Sequence, residues 1–226
     1  MTQPYGLGWR VVGGWSHVTP GLACRVELFG EEIALWRTEA GAVHAWSNRC
    51  PHRGMRLSYG QVRGDRLACR YHGWHYDGTG RCRFIPAHPK LDPPATLAVA
   101  RHAALEQDEA IWVALGDAPA DPPGPLGADR PGFCRTFPLA LSGASGAEAL
   151  REVAGASPLG PDLMAATLSL NGDARSATIA IQPIDAARCV AHIFLDGAPD
   201  PAARVAAARW AAALRREIAQ MREPRQ

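Results

Sequence analysis

Two short segments decide the interpretation of this sequence: Cys50-Pro51-His52 and Cys69-Arg70-Tyr71-His72, with sixteen residues between them. Each segment offers one thiol and one imidazole, and a glycine, Gly54 or Gly73, follows each histidine within two residues. Glycine allows the backbone to approach a bound group closely and to present its N–H groups. The sequence therefore predicts two matched ligand loops.

Two thiolates and two imidazoles suit a [2Fe–2S] cluster with Cys50 and Cys69 on one iron and His52 and His72 on the other. The thiolates stabilise the ferric site, and the neutral imidazoles leave the second iron to accept the electron at a raised potential. The same four residues could instead bind structural zinc. Zinc loops usually pair like ligands, whereas each loop here carries one of each type, so the pattern favours the cluster.

Composition and charge exclude several classes of protein. The 226 residues carry a formal net charge of +2, which argues against a nucleic-acid partner or a membrane-surface role. No run approaches the roughly 20 apolar residues of a membrane helix, and the N-terminus lacks the layout of a signal peptide. The six cysteines are too irregularly spaced for a secreted disulfide framework, so we expect a reducing, cytoplasmic location.

The first half of the chain is predicted to be all β. Residues 33–37 and 43–46 flank a tight turn and read as a hairpin, and 77–80 is a second turn. Residues 119–132 contain four prolines in their first half and no periodicity, which is typical of a linker. We therefore expect domains at 1–118 and 133–226.

The second half alternates between strand and helix patterns. The expected elements are strands at 133–141, 164–170, 174–181 and 188–195, with helices at 145–154 and 201–221. The last helix is expected to bury one face, made of Val205, Trp210, Leu214, Ile218 and Met221. This pattern predicts a small α+β domain in which a long helix crosses an antiparallel sheet.

The ligand loops resemble those of the Rieske non-haem iron oxygenases. C-P-H-R-G at 50–54 and C-R-Y-H-G-W at 69–74 are similar to the oxygenase subunits of the vanillate demethylase and phthalate dioxygenase type, and the resemblance extends from about residue 9 to 122. It implies a mainly β Rieske domain with cluster-binding loops, followed by a helix-grip-like domain. Respiratory Rieske proteins have an extra cysteine in each loop, where Met55 and Tyr71 stand here. This difference implies fewer hydrogen-bonding groups near the cluster sulfurs. We therefore expect a midpoint reduction potential near the low end of the Rieske range, roughly −150 mV.

The sequence departs from the oxygenases in the second domain. Their mononuclear iron is held by a D-x2-H-x4-H motif and a later carboxylate, and nothing from 117 onward matches that motif. His192 is the only histidine there and is expected to be a surface or packed imidazole. A mononuclear Fe(II) is therefore not expected on this chain. The remaining cysteines, Cys24, Cys82, Cys134 and Cys189, are expected to be buried, inert thiols.

Three functions remain open on the sequence. The leading hypothesis is an electron-transfer component that takes electrons from a reductase or ferredoxin and passes them to a mononuclear iron on an oxygenase partner, within a homo- or hetero-oligomer. The first alternative is a self-sufficient monooxygenase with an atypical site drawn from His88, His102, His192 and Asp185. The second is a redox-sensing or structural subunit.

Overall fold

A computed structural model describes residues 8–127 and 131–222, except for the side chain of Arg222. The chain folds into two compact units. The first unit contains Trp15–Glu106 and Ile111–Pro122 together with residues 8–9. The second contains Arg10–Gly14, Gln107–Ala110 and the chain from Pro123 onward. The change of unit after residue 122 lies inside the predicted linker 119–132, of which residues 128–130 are outside the described part of the chain.

The first unit is built from two antiparallel sheets. The first strand of the chain, β1 (Arg10–Gly14), groups with the second unit. The larger sheet of the first unit has the order β10-β9-β4-β3-β2, with bounds β2 Ala23–Leu28, β3 Glu31–Arg37, β4 Val43–Ser47, β9 Arg101–Gln107 and β10 Ala110–Ala114. The smaller sheet has the order β5-β6-β7-β8, with bounds β5 Gln61–Arg63, β6 Arg66–Ala68, β7 His75–Asp77 and β8 Cys82–Phe84. Short 3₁₀ turns occur at Trp15–His17 and Leu57–Tyr59.

The predicted hairpin and turn of the first unit are confirmed. Strands β3 and β4 pair in register from Ile33↔Ser47 to Arg37↔Val43, and the Thr38 N–H donates to the Ala42 carbonyl at 2.9 Å across the connection. The turn at 77–80 is closed by a 2.7 Å bond from the Gly80 N–H to the Asp77 carbonyl. The aromatic side chains of Trp36, Trp46 and Tyr76 are fully buried beneath the ligand loops. They form the packed base on which the candidate site rests.

The second unit is one antiparallel sheet with two helices on one face. The strand order is β11-β15-β14-β13-β12, with bounds β11 Pro131–Leu139, β12 Ser157–Gly160, β13 Leu163–Leu170, β14 Asp173–Pro183 and β15 Cys189–Asp196. The helices are α1 Gly143–Ala154 and α2 Pro201–Arg222. Ser142 caps α1 by accepting from the Ser145 N–H, and Gly155 ends it with φ 60°. The predicted α+β domain with a long terminal helix is confirmed, although strand β12 was not predicted.

The prediction of which side chains α2 buries was wrong at both ends of the helix. Val205 and Met221 are 51% and 54% exposed. The buried side chains of this helix are mostly small: Ala203, Ala206, Ala207, Ala211, Leu214 and Ile218. Alanine allows the helix backbone to lie close to the sheet, and this close approach rather than side-chain size selects the inner face. Trp210 is half-buried and packs edge-on against Phe137 at 6.5 Å, so it contacts the core, as predicted, from its margin.

No helix in the described part of the chain is long and apolar enough to cross a membrane.

All six cysteines are free thiols. Cys82, Cys134 and Cys189 are buried as expected, but Cys24 is only half-buried because it lies on β2, at the edge of its sheet. The prediction of a buried thiol was therefore wrong for Cys24. Burial raises the pKa of Cys189 to about 11, which keeps that thiol protonated and inert.

Candidate metal centre

The two ligand loops share one backbone design. In the first, the Cys50 N–H donates to the Met55 carbonyl and the Gly54 N–H donates to the Cys50 carbonyl, both at 2.8 Å. In the second, the Cys69 N–H donates to the Trp74 carbonyl and the Gly73 N–H donates to the Cys69 carbonyl, both at 2.9 Å. The spacing is identical, and both glycines have positive φ, +71° and +67°. This explains the glycine in each motif, because a side chain at that φ would be strained.

The two thiols lie side by side in the core. Cys50 and Cys69 are each 3% exposed. Burial and the neighbouring Cys50 raise the pKa of the Cys69 thiol, while hydrogen bonds from the Tyr71 and His72 backbone N–H groups lower it. The Tyr76 hydroxyl lies 3.1 Å from Cys50 Sγ, and burial raises the pKa of this phenol. A phenol that stays protonated donates to a thiolate, so the site already contains donors aimed at both sulfurs.

The two imidazoles form a second pair nearer the surface. The rings of His52 and His72 are 4.6 Å apart between centroids. His52 stacks flat on Trp74 at 4.2 Å with an interplanar angle of 7°. His72 is exposed and stacks on Tyr71 at 3.8 Å. Loss of solvation, together with His72 and Arg53, lowers the pKa of His52 and favours the neutral form that can bind a metal.

One atom of this arrangement lacks a partner. The Nδ1 atom of His52 is buried and makes no hydrogen bond. Buried polar atoms are almost always paired, so an unpaired ring nitrogen in one of the two ligand loops fits a role as a metal ligand. Within residues 8–127 and 131–222, no three His, Cys, Asp or Glu side chains are grouped around one point. Two separate pairs, one of sulfur and one of nitrogen, fit a group with two metal ions better than a single tetrahedral zinc.

A third loop covers the second ligand loop. Ile85 is buried in the same apolar cluster as Cys50 and Cys69. The Pro86 ring lies against Gly73, where an added Cβ would be 3.0 Å from Pro86 Cγ. Ile85 and Pro86 therefore provide apolar cover for the second ligand loop.

The other titratable residues singled out in the sequence lie in ordinary structural roles. His192 is buried, with Nδ1 2.8 Å from Thr136 Oγ1 and Nε2 2.8 Å from Gln182 Oε1. Because an amide oxygen only accepts, Nε2 carries the proton and Nδ1 accepts from the threonine hydroxyl. His102 Nδ1 accepts from the Gly116 N–H, and Asp185 pairs with Arg188. The prediction of a packed imidazole is confirmed for His192.

Sequence reasoning missed the role of Tyr76. The signal was present, because Tyr76 is the inward-facing residue of the three-residue strand His75–Asp77. A tyrosine buried at such a position needs a partner for its hydroxyl. The sequence could not identify Cys50 as that partner, since the contact joins residues 26 positions apart.

Comparison with known proteins identifies the domain that contains the two ligand loops. The sequence model of the Rieske [2Fe–2S] domain matches residues 8–101, and this part of the chain is a Rieske [2Fe–2S] domain. The chain is 48% identical over 96 residues to the oxidoreductase NdmD of Pseudomonas putida, a match that covers 42% of this chain and 16% of NdmD. It is 40% identical over 113 residues to the 4β-methylsterol monooxygenase of Methylococcus capsulatus, covering 48% of this chain and 30% of that enzyme.

The fold extends beyond the matched sequence. The structure of NdmA from Pseudomonas putida CBB5 superposes with a TM-score of 0.74 at 19% identity, covering 97% of this chain and 82% of NdmA. Both units therefore have a counterpart in the fold of NdmA. The chain matches less than a third of the length of NdmD and of the sterol monooxygenase in sequence.

Proposed function

We propose that this protein is an electron-transfer component of a multicomponent non-haem iron oxygenase. Cys50 and Cys69 would hold one iron of the [2Fe–2S] cluster, and His52 and His72 the other. The cluster supplies reversible one-electron storage when bound. The observation that carries the proposal is the pairing of two buried thiols with two imidazoles, one of which has a buried, unpartnered Nδ1.

The burial of the proposed ligands indicates where electrons would reach the cluster. The thiol pair is buried against Trp46 and Tyr76, whereas His72 reaches the surface next to Tyr71. An exposed imidazole ligand gives a redox partner the shortest approach to the metal pair. Electrons would therefore enter and leave at the histidine edge, and the hydroxyl of Tyr76 would stabilise added charge on the thiolate side.

The interior of the second unit supports placing the catalytic iron on a partner. The layer between its sheet and helices is formed by aliphatic, aromatic and cysteine side chains, such as Phe137, Leu150, Ile193 and Ala207. The buried polar side chains described in this unit, Thr178, Gln182 and His192, lie on strand positions that alternate with this layer. Both nitrogens of His192 are already hydrogen-bonded. We propose that the partner contributes the dioxygen and substrate chemistry.

The test is the iron and acid-labile sulfide content of protein purified without oxygen. Two iron and two sulfide per chain, with the electron paramagnetic resonance (EPR) signal of a mixed histidine–cysteine cluster, is the expected result. Three iron with two sulfide would overturn the division of labour and make the chain an oxygenase in its own right. Absence of sulfide would overturn the cluster itself. The cytoplasmic location, the oligomeric assembly and the domain boundaries at 118 and 133 stay predictions from the sequence.

A further inference from the structure

The surface around the candidate cluster carries an unusual charge. Arg49, Arg53 and Arg70 lie in or beside the two ligand loops and are exposed. The loop segments 49–56 and 69–75 contain no aspartate or glutamate. The Arg49 side chain extends over the first loop, since Arg49 Nη2 lies 3.9 Å from an ideal Cβ built on Gly54. The candidate cluster is therefore bordered by positive charge.

Within the described part of the chain, most of the other arginines of the same unit are ion-paired, although Arg63, Arg81 and Arg101 are not. Arg37 is paired with Glu106, Arg56 with Glu32, and Arg83 with Asp77. Among the residues that the structure describes, Arg49, Arg53 and Arg70 form no ion pair. Three unpaired guanidinium groups remain around the ligand loops of a protein whose formal net charge is only +2.

An exposed aromatic side chain lies within this surface. Tyr71, next to Arg70 in the second ligand loop, is 59% exposed while it stacks on His72. An open cavity of about 650 Å³ adjoins the first loop between Arg49, Met55 and Tyr59. Its far wall carries Glu31 and Glu32, and Glu32 is engaged by Arg56. Exposed aromatic residues inside a charged rim are typical of a transient protein-docking surface.

We infer that Arg49, Arg53 and Arg70, arranged around Tyr71 and His72, form the docking surface for the acidic face of a one-electron donor protein. The inference rests on the proposed function, because it names the chemistry of the donor that reduces the cluster. One electron passes from the reduced donor to the cluster, so the donor is oxidised and the cluster reduced, and no bond is made or broken. Opposite charges steer the encounter and accelerate association.

Charge also decides between possible occupants. A second copy of this chain docked by the same surface would bring arginines against arginines in a two-fold interface, which like-charge repulsion opposes. An acidic partner gains attraction from all three guanidinium groups. The absence of carboxylates in the sequence of both loops removes the competing ion pairs that would neutralise the surface.

The experiment is stopped-flow reduction of the oxidised holoprotein by reduced plant-type ferredoxin, a [2Fe–2S] protein with an acidic surface. The variant R49E/R53E/R70E reverses the rim, and R209E/R215E/R216E makes the same change of charge at exposed positions on α2. At low ionic strength we expect the rim variant to react at least about tenfold more slowly than wild type and the α2 control to keep its rate within about twofold. The difference should vanish near about 0.5 M salt. Equal rates for the two variants, or a salt-independent rate for wild type, would overturn the inference.

Two further probes separate this inference from the proposed function. Photoreduced 5-deazariboflavin is a neutral reductant and should reduce all three proteins at the same rate. Cytochrome c, a basic acceptor, should oxidise the reduced rim variant faster than wild type, which reverses the sign of the effect. If no cluster assembles in wild type, the proposed function fails, whereas an intact, reducible cluster with no charge effect overturns only the docking surface. Should the glutamate variant lose its cluster, R49Q/R53Q/R70Q tests the same prediction with a smaller expected decrease.

Discussion

The two units of this protein differ most in how their interiors treat polar atoms. In the first, the thiols of Cys50 and Cys69 and the Nδ1 atom of His52 are buried, and that nitrogen has no hydrogen-bond partner. In the second, the layer between sheet and helices is apolar, and the buried His192 has a partner for each nitrogen. The first unit also leaves the indole nitrogens of Trp36 and Trp46 unpaired, so His52 Nδ1 is distinguished by its position in a ligand loop, where its ring contacts that of His72.

This difference matters because both units have a counterpart in the fold of NdmA, whose structure covers 97% of the chain. Similar folds do not imply similar sites, since chemistry depends on particular side chains placed on the fold. The first unit contains the set of donors that a metal centre needs. The second has a sheet and helices but fills the space between them with small and apolar side chains. The following predictions test that contrast, beginning with the largest expected effect.

Removal of one thiol should abolish the metal centre. In Cys69→Ser we expect complete loss of the iron and sulfide and of the EPR signal, because the hard hydroxyl does not replace a soft thiolate. The matched control is Cys82→Ser, another buried cysteine of the same apolar cluster, whose sulfur lies 3.8 Å from the Phe84 carbonyl. It should keep its iron. Loss of the cluster in both variants, with unchanged circular dichroism, would contradict the assignment of the ligands.

A cavity in the second unit should lower stability without changing the metal content. Leu150 is fully buried between α1 and the sheet, so Leu150→Ala should lower the free energy of unfolding by about 2–5 kcal/mol in urea titrations. The control is Val205→Ala on the exposed side of α2, with an expected change within about 0.5 kcal/mol. A large decrease in the free energy of unfolding for Val205→Ala would show that Val205 packs against the sheet after all. The iron per folded chain should equal that of wild type in both.

His192 sharpens the comparison between the units. His192→Leu leaves the buried Gln182 Oε1 and the half-buried Thr136 Oγ1 without their imidazole partner, which should lower the free energy of unfolding by about 1–3 kcal/mol. Because both ring nitrogens are engaged by protein groups, the iron per chain should not change. The exposed His88, replaced by leucine, serves as the control. A decrease of one iron per chain in His192→Leu alone would identify the residue as a metal ligand.

The smallest expected effect concerns the hydroxyl on the thiolate side. A hydrogen bond donated to Cys50 Sγ stabilises the more negative, reduced cluster, so Tyr76→Phe should lower the midpoint potential. A hydrogen bond that contributes a net free energy of about 0.5–1.5 kcal/mol corresponds to a shift of roughly 20–65 mV in the midpoint potential of a one-electron couple. Tyr59→Phe, at an exposed tyrosine, should leave the midpoint unchanged. A wild-type midpoint well above zero would contradict the expected low value, and an unchanged midpoint in Tyr76→Phe would exclude the hydroxyl as its determinant.

Local chemistry explains what the sequence by itself determined. Cys50, His52, Cys69 and His72 were predicted as ligands because thiols and imidazoles at matched spacing next to glycine are rare in ordinary β loops. The hairpin β3–β4, helix α1 and the long helix α2 follow from turn residues, a serine cap and periodic apolar residues, all of which act over a few positions of the chain.

Only the tertiary structure decided features that depend on contacts between distant residues. It assigned Arg10–Gly14 and Gln107–Ala110 to the second unit, turned the alanine face of α2 rather than Val205 toward the sheet, and brought Tyr76 to Cys50. It also left the Nδ1 atom of His52 without a partner and isolated three arginines beside the ligand loops. Burial and pairing are properties of the packed chain, because a residue's partner is chosen by which distant surfaces meet and not by its neighbours in sequence.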